Sequence, residues 1–183
     1  YFRSMLEDTD YMVTLDTELE HVKAYTMLEE ARFEKRLSIE INADPEALRS
    51  CVPNLILQPI VENAVHHGAM QREKGVGKVI VNVKREERST RIDVIDNGTG
   101  IPADALAALN RELRDSETIA TRHIGLRNIA QRLALLFPHR YEMTIHSMSG
   151  YGTGVTMIFP RVRSRNLFSN KGETIPNENP VSR

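Results

Sequence analysis

Cysteine is nearly missing from this chain: Cys51 is the one thiol among 183 residues. A single cysteine excludes an internal disulfide and a cysteine-built zinc cluster, fits a reducing compartment, and reads as a packing residue. An excess of either charge is missing too, since 24 basic residues stand against 25 acidic ones for a formal net charge of −1. That balance leaves no basic footprint for nucleic acid or for contact with an anionic membrane. No apolar run approaches the roughly 18 residues that a membrane-crossing helix needs, and the first residues lack the basic and apolar segments of a secretion signal. A soluble chain without internal repeats is expected. Its length suits one compact domain with a core of its own and some non-globular sequence at the ends. The chain opens on Tyr1 inside sequence that already reads as helical, so a piece of a longer protein is expected.

What is present is a change of period along the chain. Leu15, Leu19, Val22, Tyr25 and Leu28 recur at spacings of four and three, with Thr14 as cap and Asp16 and Glu18 in the first turn, which predicts an amphipathic helix to about Arg36. Leu37, Ile39 and Ile41 then alternate with polar residues up to Asp44-Pro45, which predicts a half-buried strand. Pro53 to His67 reads as a second helix, bent at Pro59. Val79, Val81 and Val83, a charged turn near Glu86 to Ser89, and Ile92, Val94 and Ile95 predict an antiparallel hairpin running into Asp96. Pro102 to Arg122, bracketed by Gly100 and Gly125, suits a mobile lid better than a core helix. Leu126, Ile129, Leu133 and Leu136 predict a last helix stopping at Pro138, and two closing strands flank the turn from Gly150 to Gly154. Helices with a mixed, mostly antiparallel sheet imply a two-layer α/β sandwich. Residues 161–183, rich in Ser, Asn and Pro, read as a flexible tail.

Four segments carry the candidate chemistry. Asp96 to Ile101, DNGTGI, sets a carboxylate and two alternate glycines at the end of an apolar strand, which suits nucleotide binding, although Asp-Asn-Gly is also a common turn. Its company is LQPIVENAVHHG (Leu57 to Gly68), HIGLRNIAQRL (His123 to Leu133) and GYGTGVTMIFP (Gly150 to Pro160). In this order the segments resemble the ATP-binding domain of the GHKL superfamily, which includes sensor histidine kinases, DNA gyrase and heat-shock chaperones. With the helix TLDTELEHVKAYTMLEEARFEKRL they look like the LytS-type histidine kinases, and the likeness covers roughly Val13 to Pro160. It implies the Bergerat (GHKL ATPase) fold, with helices on one face of the sheet, over residues 37–160. It also implies a lid at about 99–124 and, in residues 1–36, a remnant of a dimerisation region.

The resemblance implies roles residue by residue. Asn63 would be the Mg2+ ligand, its amide oxygen suiting a hard cation held with a triphosphate. Asp96 would read adenine by accepting a hydrogen bond from the exocyclic amine. Gly98 and Gly100 would let the backbone approach the nucleotide. Gly125 and Leu126 would lend amides at a helix start to phosphate oxygens, with Arg127 and Asn128 as polar neighbours or simply as a solvated helix face. Thr153 would help hold adenine through the aspartate and a water, unless it is a plain hairpin threonine. Glu62, beside Asn63, is a candidate acid or base, but neighbouring helix positions point about 100 degrees apart, which favours a residue behind the metal or a structural one.

Three departures qualify the likeness. His66 stands where histidine kinases often place a phosphate-contacting lysine, His123 replaces the first glycine of the usual run at the lid's end, and Pro59 occupies the place of the glutamate that activates water in gyrase-like ATPases. Steady hydrolysis by that last mechanism is not expected. No PHF-like acceptor motif is present: His139 follows a proline but lacks the rest of the pattern, and His21 reads as surface or interface. The implied function is the catalytic half of a two-component sensor histidine kinase that uses ATP and Mg2+. Its partners would be its own dimerisation and phosphoacceptor domain, as a homodimer, and a response regulator. The parent would be a membrane-anchored bacterial receptor with this domain in the cytoplasm. The alternatives are a nucleotide-responsive interaction module and an anti-sigma serine kinase.

Overall fold

Thr14 starts the first long element: its Oγ1 accepts a hydrogen bond from the Thr17 amide at 3.3 Å, and Asp16 and Glu18 follow in the first turn. In the computed structural model, which describes residues 12–114 and 124–162, the resulting helix α1 spans Leu15–Phe33. Its buried residues are Leu15, Glu18, Leu19, Val22, Thr26 and Glu29. The expected stripe is therefore corrected at its end. A 3.6-residue period carries the inward face to Thr26 and Glu29 and leaves Leu28 71% exposed. A single 3-10 turn, Glu34–Arg36, then leads into strand β2, Leu37–Ala43.

The expected second helix is shorter at its start. Cys51–Pro53 form strand β3, paired antiparallel with β1, Met12–Thr14, and the buried Cys51 packs there. Helix α2 begins only at Gln58 and runs to Asn63, so Pro59 lies in the first turn, where a missing N–H breaks no bond. The coil continues as a widened turn, Ala64–Gly68, and a tight one, Ala69–Gln71.

Strands β4 (Gly77–Arg85), β5 (Ser89–Asp96), β6 (Glu142–Met148) and β7 (Gly152–Pro160) complete a five-stranded sheet in the order β2-β4-β5-β7-β6. Only β2 and β4 run parallel; the other neighbours are antiparallel, and the β4–β5 hairpin is as expected. Period-two alternation turns Val79, Val81, Ile92, Val94, Met157 and Phe159 to one face, where the helices cover them in a single core. The other face is polar, with Asp93 accepting from Arg91 and Thr156. The architecture is the expected two-layer α/β sandwich. Leu15, Leu19 and Val22 belong to that same core, so residue 36 does not separate two cores.

Helix α3, Ala103–Arg114, buries Leu109 and Leu113 in the core. Its Asn110 side chain donates to the Ile145 carbonyl at 2.8 Å and accepts from the Ile145 amide at 3.1 Å, docking α3 on the edge strand β6. This half of the glycine-bracketed segment is thus a helix packed on one face, and residues 115–123, the rest of the expected lid, lie outside the described residues. Helix α4, Ile124–Leu136, buries Leu126, Ile129 and Leu133, and Phe137 beyond it stacks on Phe159. Arg161 and Val162 are still tied to the domain through Arg88 and Cys51, and the rest of the expected tail lies outside the described residues. No described helix is long and apolar enough to cross a membrane.

Candidate functional site

Strand parity decides what meets at the end of β5. Ile92, Val94 and Asp96 point to the same side, so the strand's core face ends in a carboxylate, 7% exposed. Asp96 pairs with Thr153 across β7, and Thr153 with Ser147 across β6, so the three lie in one row. The Oγ atoms of Ser147 and Thr153 are 2.9 Å apart. Ser147 Oγ also donates to the Gly152 carbonyl at 2.8 Å and accepts from the Ile101 amide at 2.8 Å, tying the loop after Asp96 to the β6–β7 turn. The Gly98 amide donates to Asp96 Oδ1 at 2.8 Å, as in a tight Asx turn. Burial pushes the Asp96 carboxyl above its ordinary pKa, while the backbone amides of Gly98 and Thr153 pull the other way.

The α2 coil reaches this row through Gly68. A Cβ on Gly68 would overlap the Asp96 carboxylate, and a Cβ on Gly98 would overlap the Gly68 carbonyl, so the coil and the loop after β5 touch only because these two residues lack side chains. Gly100 has φ +69 and lies against the Met148 carbonyl, which closes the loop on the far side. Asn63, half-buried, ends α2 five residues before Gly68. The structure thus brings together Asp96, Gly98, Gly100 and Thr153, and connects Asn63 to them along one coil.

The remaining candidates are placed elsewhere. Glu62 accepts from Gln58 at 2.8 Å and lies near Tyr25, whose hydroxyl is pushed up by burial first and then by the charges of Glu29 and Glu62. His66 Nε2 is 3.4 Å from Glu29, and its ring meets Phe33 edge-on at 6.2 Å. Both residues therefore engage α1. Gly125 is the second residue of α4 rather than the residue before it, and a Cβ there would meet open space. Leu126 is buried beside it and Asn128 is exposed. His123 lies outside the described residues. A cavity of about 880 Å³ between α3, α4 and β6 contains none of Asn63, Asp96 and Thr153, and is not assigned to this site.

Sequence reasoning missed Gly68 and Ser147. Ser147 shares the parity of Met143 and Ile145, and Gly68 closes a motif already singled out, so both had a signal.

Residues 51–163 match the family described as histidine kinase-, DNA gyrase B-, and HSP90-like ATPase. The chain belongs to this ATPase family. Residues 1–37 match a second family, described as histidine kinase. The chain is similar to the sensor protein LytS of Bacillus subtilis, 36% identical over 162 residues, which are 87% of this chain and 27% of that protein. It therefore spans about a quarter of the length of such curated relatives. Among solved structures it resembles the histidine kinase domain of the blue-light activated histidine kinase from Erythrobacter litoralis EL346, with TM-score 0.59 and 18% identity over 86% of this chain and 66% of that one. It also resembles histidine kinase ThkA solved in complex with the response regulator protein TrrA, with TM-score 0.54 and 16% identity over 82% of this chain and 41% of that one. At such identities the likeness shows the fold, the same mixed sandwich of sheet and helices.

Proposed function

We propose that this chain is the ATP-binding catalytic domain of a two-component sensor histidine kinase. The observation that carries the reading is the seat of Asp96: a core-facing carboxylate at a strand end, walled by Gly68 of the coil that also bears Asn63. An acceptor so placed suits the exocyclic amine of adenine, which guanine lacks at that position. The ATPase family and the LytS-like relatives support this assignment of ligand.

Magnesium fits as a companion of the nucleotide rather than as a resident ion. No group of three or more His, Cys, Asp or Glu side chains among the described residues could hold a metal. One amide oxygen, from Asn63, would complete a shell made of triphosphate oxygens and water, which is how Mg2+ is commonly held. Gly125 and Leu126 in the first turn of α4 would offer amides to the phosphates, and Thr153 would support Asp96 at the base.

The reaction is transfer of the γ-phosphoryl group to an imidazole nitrogen of a histidine outside this chain. The new N–P bond forms as the bond from the γ-phosphorus to the β–γ bridging oxygen breaks, and ADP leaves. Such transfer depends mainly on positioning and charge neutralisation. Pro59, in the first turn of α2, offers no carboxylate for activating water, so steady hydrolysis by the gyrase-like route is not expected. The phosphohistidine would then serve a response regulator, in a homodimeric, membrane-anchored parent that presents this domain to cytoplasmic ATP. The test is calorimetric titration of the 183-residue chain with Mg-ATP and Mg-GTP, followed by ATP labelling of the parent protein. Mg-ATP binding with acid-labile labelling is expected. Absence of Mg-ATP binding refutes the assignment, and binding without labelling of the parent assigns an interaction module instead.

A further inference from the structure

Helix α1 carries a buried carboxylate that the nucleotide site itself does not use. Glu18 is 1% exposed, and all its bonding goes to backbone at the start of α2. Oε1 accepts from the Leu55 amide at 2.6 Å, and Oε2 accepts from the amides of Ile56 and Leu57, each at 3.0 Å. Leu55 holds φ +59, a conformation unfavourable for a branched apolar residue, and it is 47% exposed, so its own packing does little to fix it. Leu57 precedes α2 without a side-chain cap of its own. Glu18, 37 residues earlier than Leu55, supplies the acceptors that this helix start lacks.

The same face of α1 meets α2 once more and its continuation once. Tyr25 lies near Glu62, and Glu29 is 3.4 Å from His66. Glu18, Tyr25 and Glu29 recur at spacings of seven and four, one face of a helix. The two later contacts are less complete, since the Tyr25 hydroxyl and Glu29 Oε2 are buried without a hydrogen-bond partner among the described residues. Glu18 is the contact with its hydrogen bonds made. Between these contacts α2 carries Asn63, and its continuation ends at Gly68 against Asp96.

We infer that Glu18 is a positioning residue of the nucleotide site: its three amide bonds fix the start of α2, and through α2 the places of Asn63 and Gly68, so that the placement of α1 sets nucleotide affinity. The inference rests on the proposed ATP site and adds how that site is held.

The test compares the wild-type chain, Glu18→Gln and Ser50→Ala, each titrated with ATP in Mg2+ and in EDTA at a temperature where circular dichroism shows it folded. Glutamine keeps the length of Glu18 but turns an NH2 group toward backbone donors. Mg-ATP binding about tenfold weaker is expected, with a smaller gain from Mg2+ than in wild type. Ser50→Ala breaks the buried Ser50–Thr90 pair, 3.0 Å apart at the opposite end of β5, and is expected to lower thermal stability with affinity unchanged. Equal affinity in wild type and Glu18→Gln overturns the inference, whatever happens to stability. Should Glu18→Gln not fold, amide exchange in wild type decides: Mg-ATP must slow the amides of Leu55 to Leu57 more than those of Ile39 and Ile41, and equal slowing overturns the inference. A wild-type chain that takes no ATP refutes the functional reading and this inference with it, whereas binding that Glu18→Gln leaves unchanged refutes the inference alone.

Discussion

Replacing Asp96 by asparagine separates what the carboxylate does for the ligand from what it does to the fold. On the ligand side the change swaps a charged acceptor for a neutral one at the position proposed to read the base. A charge-assisted hydrogen bond contributes about 1.5–3 kcal/mol, so Mg-ATP binding should weaken about 10- to 150-fold. Because an asparagine NH2 can face the oxygen of guanine, Mg-GTP should lose less, and the preference for ATP should narrow. On the fold side, Asp96 is buried and its pKa is raised, chiefly by desolvation. Below about pH 3.9 the group is protonated in both folded and unfolded chains. Between that value and the raised folded pKa the folded state binds the extra proton, so this residue's contribution to stability falls as pH rises through the window and then stays level. The substituted asparagine does not titrate. The stability difference, variant minus wild type, should therefore move in the variant's favour as pH rises through the window, while Mg-ATP affinity of the wild type falls as pH drops through it. Calorimetric titration at neutral pH with both nucleotides, and urea unfolding across the acid range, read the two sides separately. Unchanged ATP affinity in Asp96→Asn refutes the base-reading role, and a stability difference moving the opposite way refutes the burial argument.

Asn63→Ala should weaken ATP binding about tenfold in Mg2+ and leave binding in EDTA unchanged, because the change removes only the amide ligand proposed for the metal; calorimetry in the two buffers checks it. Gly68→Ala drives a methyl group into the Asp96 carboxylate and should cost about 1–3 kcal/mol in urea unfolding, together with a loss of ATP affinity. Asn110→Ala leaves both backbone groups of Ile145 without their side-chain partner. It should destabilise the domain by about 1–3 kcal/mol in the same assay, with Mg-ATP affinity unchanged.

The elements whose order comes from local period were legible, and those fixed by partners distant in sequence were not. β4 and β5 announce themselves by alternation, and that alternation continued two residues beyond Val94 already places Asp96 on the core face, above the apolar layer where a carboxylate needs a reason to be. Gly98 and Gly68 stand in motifs the sequence already marks, but the reason each must lack a side chain came only with coordinates: a Cβ on Gly98 would meet the Gly68 backbone, and one on Gly68 the Asp96 carboxylate. Pro53 to Leu57 reads as helix in sequence because its apolar residues fit a helical face. The segment is instead a strand and a loop, since Cys51–Pro53 pair with β1 and Glu18 draws three successive amides out of helical bonding.

Glu18 itself was readable only as a first-turn acidic residue, the commonest fate of a glutamate there. Its burial depends on a loop 37 residues away, and no local pattern encodes that. His66 and Glu62 show the complementary effect. Glu62 directly precedes Asn63, and successive helix positions diverge by about 100 degrees, so Glu62 turns toward Tyr25 of α1; His66, three residues on in the widened turn, meets Glu29 of α1. Motif adjacency and site membership are therefore different properties on this helix. Glu62 and His66 are explained by the contacts they make with α1, and those contacts leave Asn63 available for the role proposed for it.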